Sequence, residues 1–123
     1  MDAKSQTDRI VLVIAPPGIW RDALVSLVRA QSDFRVIHAL DNFPSARTRL
    51  TEQHADVVIA DNGVDESAVP GFIAWLHALD GAVRCVVAVD TQVQQVRCLA
   101  AGAHATLLKG WLDEAALRRA IAA

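Results

Sequence analysis

Five short apolar runs, each followed by a segment of helical spacing, constrain this 123-residue chain more than any other feature. Arg9-Ile-Val-Leu-Val-Ile14, Asp56-Val-Val-Ile-Ala60 and Arg84-Cys-Val-Val-Ala-Val89 are continuous rather than alternating. A strand with one wet face alternates polar and apolar residues, so a continuous run needs cover on both faces. Phe34-Arg-Val-Ile-His-Ala39 and Ala105-Thr-Leu-Leu108 read as the second and fifth strands in chain order. Between strands, Ile19 to Ala30 carries apolar residues at Ile19, Ala23, Leu24, Leu27 and Val28, a helical stripe. A second helix follows Asn42 as cap, with Pro44 in its first turn, and runs to about Gln53. A polar loop, Asn62 to Val69, and then Pro70-Gly71 lead to a third, from about Phe72 to Leu79. A fourth runs from about Gln92 to Ala101 and stops at Gly102, whose backbone freedom suits a helix end. The last opens on Asp113-Glu114 and carries Arg118-Arg119 near its end, matching the helix dipole.

Strict strand–helix alternation with short connections predicts a parallel sheet with helices on both faces. Right-handed crossovers narrow this to a flavodoxin-like (βα)5 α/β fold, a doubly wound five-stranded sheet in the order 2-1-3-4-5. Residues 9–123 are expected to form one domain, after an unstructured polar stretch at 1–8 that lacks the apolar core of a secretory leader. No stretch is apolar enough for a membrane span, which predicts a cytoplasmic protein with no membrane partner. Hydrophobic residues are 53% of the chain and aromatics only 5%, as Ala-, Val- and Leu-rich packing requires. A net charge of −2 gives no footprint for direct nucleic-acid binding. Cys85 and Cys98 sit in apolar runs and read as buried free thiols.

In a sheet of this order, ligands meet the carboxyl ends of the strands near the switch between strands 1 and 3. Ala15, Pro16 and Pro17 follow strand 1, Asp61 and Asn62 follow strand 3, Ala88 and Val89 end strand 4, and Lys109 follows strand 5. One carboxylate and one lysine thus converge on one mouth. A simple ion pair joining two strand ends accounts for them equally well.

Three segments carry a resemblance over about Arg9 to Ala122: Asp56-Val-Val-Ile-Ala-Asp61; Ala101-Gly102-Ala103 with Leu107-Leu108-Lys109; and Ile10 to Arg21. In this order and spacing they resemble the receiver domains of two-component response regulators, especially those preceding LuxR-type DNA-binding domains. The resemblance implies a phosphoacceptor aspartate at Asp61 and the phosphate-contacting lysine at Lys109. It implies Mg²⁺ held by that aspartate and an acidic pair after strand 1, and a switch hydroxyl after strand 4. The metal and the lysine are needed because carboxylate attack on a phosphoryl group gathers negative charge.

This chain departs from that pattern. The acidic pair falls on Ala15 and Pro16, and the hydroxyl position on Ala88, or on Val87 in the other register. Thr91 comes several residues too late, the loop after Asp61 is about two residues longer than usual, and Gly110 stands where many receivers have proline. The expectation is a pseudo-receiver with weak or absent Mg²⁺-dependent phosphorylation, no cofactor, no metal site and no catalytic residue. Mg²⁺ enters only if Asp41 or Asp90 rescues the site. The resemblance implies partnership with another protein or an output domain, a histidine kinase upstream, and a homodimer through helix 4, strand 5 and helix 5 or through helix 1. The alternative is a conventional phosphorylatable receiver with Asp61 as phosphoacceptor.

A third class, an enzyme or ligand-binding protein on the same fold, lacks a motif. His38, His54, His77 and His104 have no metal spacing, and no serine lies in a nucleophile context. Pro16 and Pro17 remove N–H donors where a phosphate loop needs them. Of the three tryptophans, Trp111 is the better contact anchor, whereas Trp20 and Trp75 read as partly packed.

Overall fold

A computed structural model describes residues 9–31 and 33–122; the expected unstructured stretch at 1–8 lies outside them. Five strands, β1 (Arg9–Ile14), β2 (Phe34–Leu40), β3 (Val57–Asp61), β4 (Arg84–Val89) and β5 (Ala105–Leu108), form a parallel sheet in the order β2-β1-β3-β4-β5. The helices are α1 (Ile19–Arg29), α2 (Phe43–Glu52), α3 (Val69–Leu79), α4 (Gln92–Ala100) and α5 (Glu114–Ile121). The expected flavodoxin-like topology is the observed one.

Strand alternation divides the core in two. Val11, Val13, Val57, Ile59, Val86 and Ala88 face α1 and α5, packing on Leu24, Val28 and Leu117. Leu12, Ile14, Val58, Ala60, Val87 and Val89 face the other way, onto Phe43 of α2, Phe72 and Leu76 of α3 and Cys98 of α4. Both sheet faces are therefore dry, which is why the runs are continuous. Phe72 sits 4.8 Å from Phe43 and 5.8 Å from Trp75, ring to ring.

Local chemistry sets the helix ends. The Asn42, Thr91 and Asp113 side chains each accept an N–H three residues on, from Ser45, Gln94 and Ala116. Gly102 takes φ +112° and lets the Ala103 N–H reach the Cys98 carbonyl at 3.0 Å, closing α4.

Two expectations need correction. The third helix starts at Val69 rather than near Phe72, and a 3-10 turn, Glu66–Ala68, precedes it. Pro70 read as a boundary, yet a first-turn proline gives up no helical hydrogen bond. A second 3-10 turn, Lys109–Trp111, was not anticipated and directs the chain after β5.

Candidate functional site

Asp61 ends β3 in the same alternation as Val57 and Ile59, so it belongs to the α1/α5 side of the sheet. Lys109 leaves β5 in phase with Leu107, on that same side. The two meet: Lys109 Nζ lies 2.6 Å from Asp61 Oδ1, with Asp61 5% exposed. The Gly63 N–H donates to the same oxygen at 2.7 Å. Lys109 Nζ also lies 5.0 Å from the centre of the Trp20 ring, so the first turn of α1 walls the ammonium on its other side.

The remaining sequence-derived positions also reach this mouth. Ala15 is fully buried at the end of β1, and Pro16 is exposed beside it. Ala88 pairs with Asp61 in the β3–β4 register and shares its face, whereas Val87 points to the opposite core. Alternation thus selects Ala88 over Val87 as the neighbour of Asp61, and it offers a methyl group. Thr91 lies two residues beyond the end of β4, with its hydroxyl capping α4.

Arg21 is the residue the sequence reading did not assign. Its Nη1 donates to the Ala15 carbonyl at 3.1 Å and to Asp41 Oδ1 at 2.7 Å. Asp41, considered as a substitute metal ligand, is thus engaged by a cation. Asp90 is exposed, and its backbone N–H bonds to Gln94 Oε1 at 2.8 Å. Among the described residues no group of three His, Cys, Asp or Glu is placed to hold a metal ion. Mg²⁺ asks for near-octahedral hard oxygen donors, including one or two carboxylates. The residues here do not fit it: the buried carboxylate of Asp61 already has a lysine and an amide on one oxygen.

Other titratable groups serve the fold. Burial pushes the Cys85 thiol up to about 12, with Cys98 adding to it, and burial followed by Glu66 raises Cys98, so neither is a ready nucleophile. Both are free and buried, as expected. Burial, then His77 and Arg84, lower His104, whose Nδ1 accepts the Cys85 N–H at 2.9 Å as a neutral ring must.

No protein-family model and no curated protein matches the sequence. Solved structures do, among them receiver domains and response regulators. The receiver domain of sensor histidine kinase PA1611 from Pseudomonas aeruginosa, solved with magnesium in its active-site cleft, superposes with a TM-score of 0.78 at 17% identity, over 93% of this chain and 94% of that one. A LuxR-family two-component response regulator from Aurantimonas gives 0.75 at 21%, over 93% and 82%. A protein described as an atypical orphan response regulator with a phosphorylation-independent regulatory mechanism gives 0.76 at 15%, over 91% of both chains. This chain spans only 53% of the length of the Salmonella typhimurium RcsB response regulator, which it matches at 12% identity and a TM-score of 0.72. The chain therefore has the receiver fold; at these identities likeness carries the fold and leaves function to the site.

Proposed function

We propose that this chain is a receiver-type signalling module that acts through protein contacts and not through Mg²⁺-dependent phosphorylation of Asp61. The observation that carries this reading is the make-up of the mouth. Asp61 and Lys109 are paired at 2.6 Å, while the flanking positions offer Ala15, Pro16 and Ala88 in place of two carboxylates and a hydroxyl. A receiver switches when phosphate draws a hydroxyl inward and the distal face repacks. A methyl group at Ala88 offers the phosphate nothing to draw.

Trp20 provides the test, because its ring lies 5.0 Å from Lys109 Nζ. In a chain with Trp75→Phe and Trp111→Phe, the emission of Trp20 is expected to show no saturable change up to about 20 mM Mg²⁺. Saturation in the low millimolar range that disappears in Asp61→Ala would favour the second reading, a conventional receiver. The geometry of Asp61 against Lys109 is what speaks for that alternative.

The partner surface fits α4, β5 and α5. Val93, Val96 and Leu99 on α4 are 60%, 67% and 47% exposed, and Trp111 beyond β5 is 78% exposed. Arg97 on α4 and the Glu114–Arg118 pair on α5 add both signs of charge. An apolar centre with mixed charges complements its own copy across a two-fold axis, so the occupant is a second copy of this chain. Ile19 of α1, 90% exposed, marks the weaker candidate face. Sedimentation of the wild type is expected to give a concentration-dependent dimer, and Val96→Glu a monomer. A wild type monomeric through the high micromolar range removes this surface from the account. A histidine kinase or an output domain as further partner, a cytoplasmic location and the lack of an enzymatic activity belong to the same proposal. Among the described residues no helix is long and apolar enough to cross a membrane.

A further inference from the structure

Asp61 and the next residue look in opposite directions. Asp61 serves the mouth, whereas Asn62, also buried at 4% exposure, turns to the α3/α4 side of the sheet. There a cavity of about 220 Å³ opens between the start of α3 and the inner side of α4. Its walls are mostly apolar, formed by Val69, Pro70, Ala101 and the Cys98 thiol. The Asn62 amide is its inner polar group. Its Oδ1 receives only the weak Cys98 Sγ donor at 3.8 Å, and its NH₂ has no protein acceptor among the described residues. The NH₂ borders the open cavity, where water or a ligand can meet it. At the open edge stand Glu66 and Arg97, with Oε2 and Nη1 3.9 Å apart, too far for a hydrogen bond. Both stay more than half exposed, so each keeps donors or acceptors free for a third group.

We infer that this cavity binds a small zwitterion with an apolar body, of the class of apolar α-amino acids. The carboxylate would take Arg97, the ammonium Glu66, and the side chain the apolar walls. A carbonyl or carboxylate oxygen would meet the Asn62 NH₂. Size agrees: a cavity of about 150 Å³ accommodates benzene, so this one takes an isobutyl or benzyl group and leaves the charged end at the rim. The charges remain partly solvated there, which avoids the desolvation cost of a buried ion. A lone carboxylate would face Glu66 unpaired and a lone amine would face Arg97, so the pair of rim charges favours a ligand with both signs. Binding itself does not depend on the receiver reading. Only its use as a regulatory input rests on that reading, since Arg97 and Cys98 line the cavity from the helix whose outer face carries Val93 and Val96.

The test is a titration of the full chain, followed by calorimetry and by amide chemical shifts. The probes are leucine and phenylalanine, with 3-phenylpropionate, which lacks the ammonium, and phenethylamine, which lacks the carboxylate. Saturable binding by an amino acid at millimolar or better affinity is expected, with shifts at Asn62 and along α4. Each analogue should bind at least about tenfold more weakly. Ala101→Leu fills the cavity and should abolish binding with the melting temperature preserved. Arg97→Ala, at an exposed position that tolerates change, should weaken it about tenfold should Ala101→Leu fail to fold. Absence of saturable binding up to about 10 mM, equal binding of either analogue, or unchanged binding by Arg97→Ala overturns the inference. Loss of the phosphorylation account leaves these outcomes unaffected, so the two fail separately.

Discussion

Lys109→Met is expected to lower stability by about 2–3 kcal/mol, the larger cost at the mouth. The substitution keeps a linear side chain of similar length and removes only the ammonium, which meets Asp61 Oδ1 at 2.6 Å and lies 5.0 Å from the centre of the Trp20 ring. Asp61 is then left in a 5% exposed position with the Gly63 N–H as its one donor to that oxygen. Breaking a fully buried ion pair from one side costs about 3–5 kcal/mol; the Lys109 side chain is one-fifth exposed, which places this pair below that range. In thermal melts the loss corresponds to a fall of roughly 8–12 °C for a chain this size. The partner substitution behaves differently. Asp61→Ala removes the buried charge and leaves a lysine that can extend to water, so it is expected to stay within about 1 kcal/mol of wild type. A loss below about 0.5 kcal/mol for Lys109→Met would mean that Asp61 is not held by this pair. A marked gain for Asp61→Ala would mean that other acids crowd it.

The second large effect is a gain of function. If the mouth fails to phosphorylate because it lacks two carboxylates and one hydroxyl, then Ala15→Asp, Pro16→Asp and Ala88→Thr together should restore a Mg²⁺-dependent phosphoryl adduct on Asp61. Each replacement has a stated task. The two aspartates complete a hard-oxygen ligand set with Asp61. The threonine enters on the Asp61 face, since Ala88 pairs with Asp61 across β3 and β4. Arg21 is the obstacle: it already touches the Ala15 carbonyl at 3.1 Å and is poised to claim a new carboxylate there. The restored chain is therefore expected to react better when Arg21→Gln is added. Phosphopeptide mapping checks the result, with Asp61→Ala in the restored background as control. A restored chain that folds by circular dichroism yet binds no Mg²⁺ and forms no adduct would show that the mouth is silent for another reason.

The fold was legible because its information is local and repeated. β1, β4 and β5 match the expected strands residue for residue, and the cap at Asn42 holds the position its side-chain chemistry predicts. The Asp61–Lys109 pair was legible from topology alone, since Asp61 ends β3 and Lys109 follows β5, both at the carboxyl end of the sheet. What escaped depends on how loops return to the sheet. The start of α3 was hidden because Pro70 fits a first turn as well as a boundary. Arg21 gave no signal, because its partners are a backbone carbonyl and a loop aspartate 20 positions away. The cavity behind Asn62 forms only when α3 and α4 are docked, and no sequence period encodes the gap between them.

Intact-mass spectrometry of the wild type after incubation with acetyl phosphate, with and without Mg²⁺, tests the central claim most directly. Asp61→Ala serves as the control. The account predicts an unchanged mass in both conditions, because Lys109 and the Gly63 N–H hold an Asp61 oxygen and Ala15 and Pro16 bring no metal ligand. A phosphoryl adduct that requires Mg²⁺ and vanishes in Asp61→Ala would contradict it, and would make this chain a conventional phosphorylation switch.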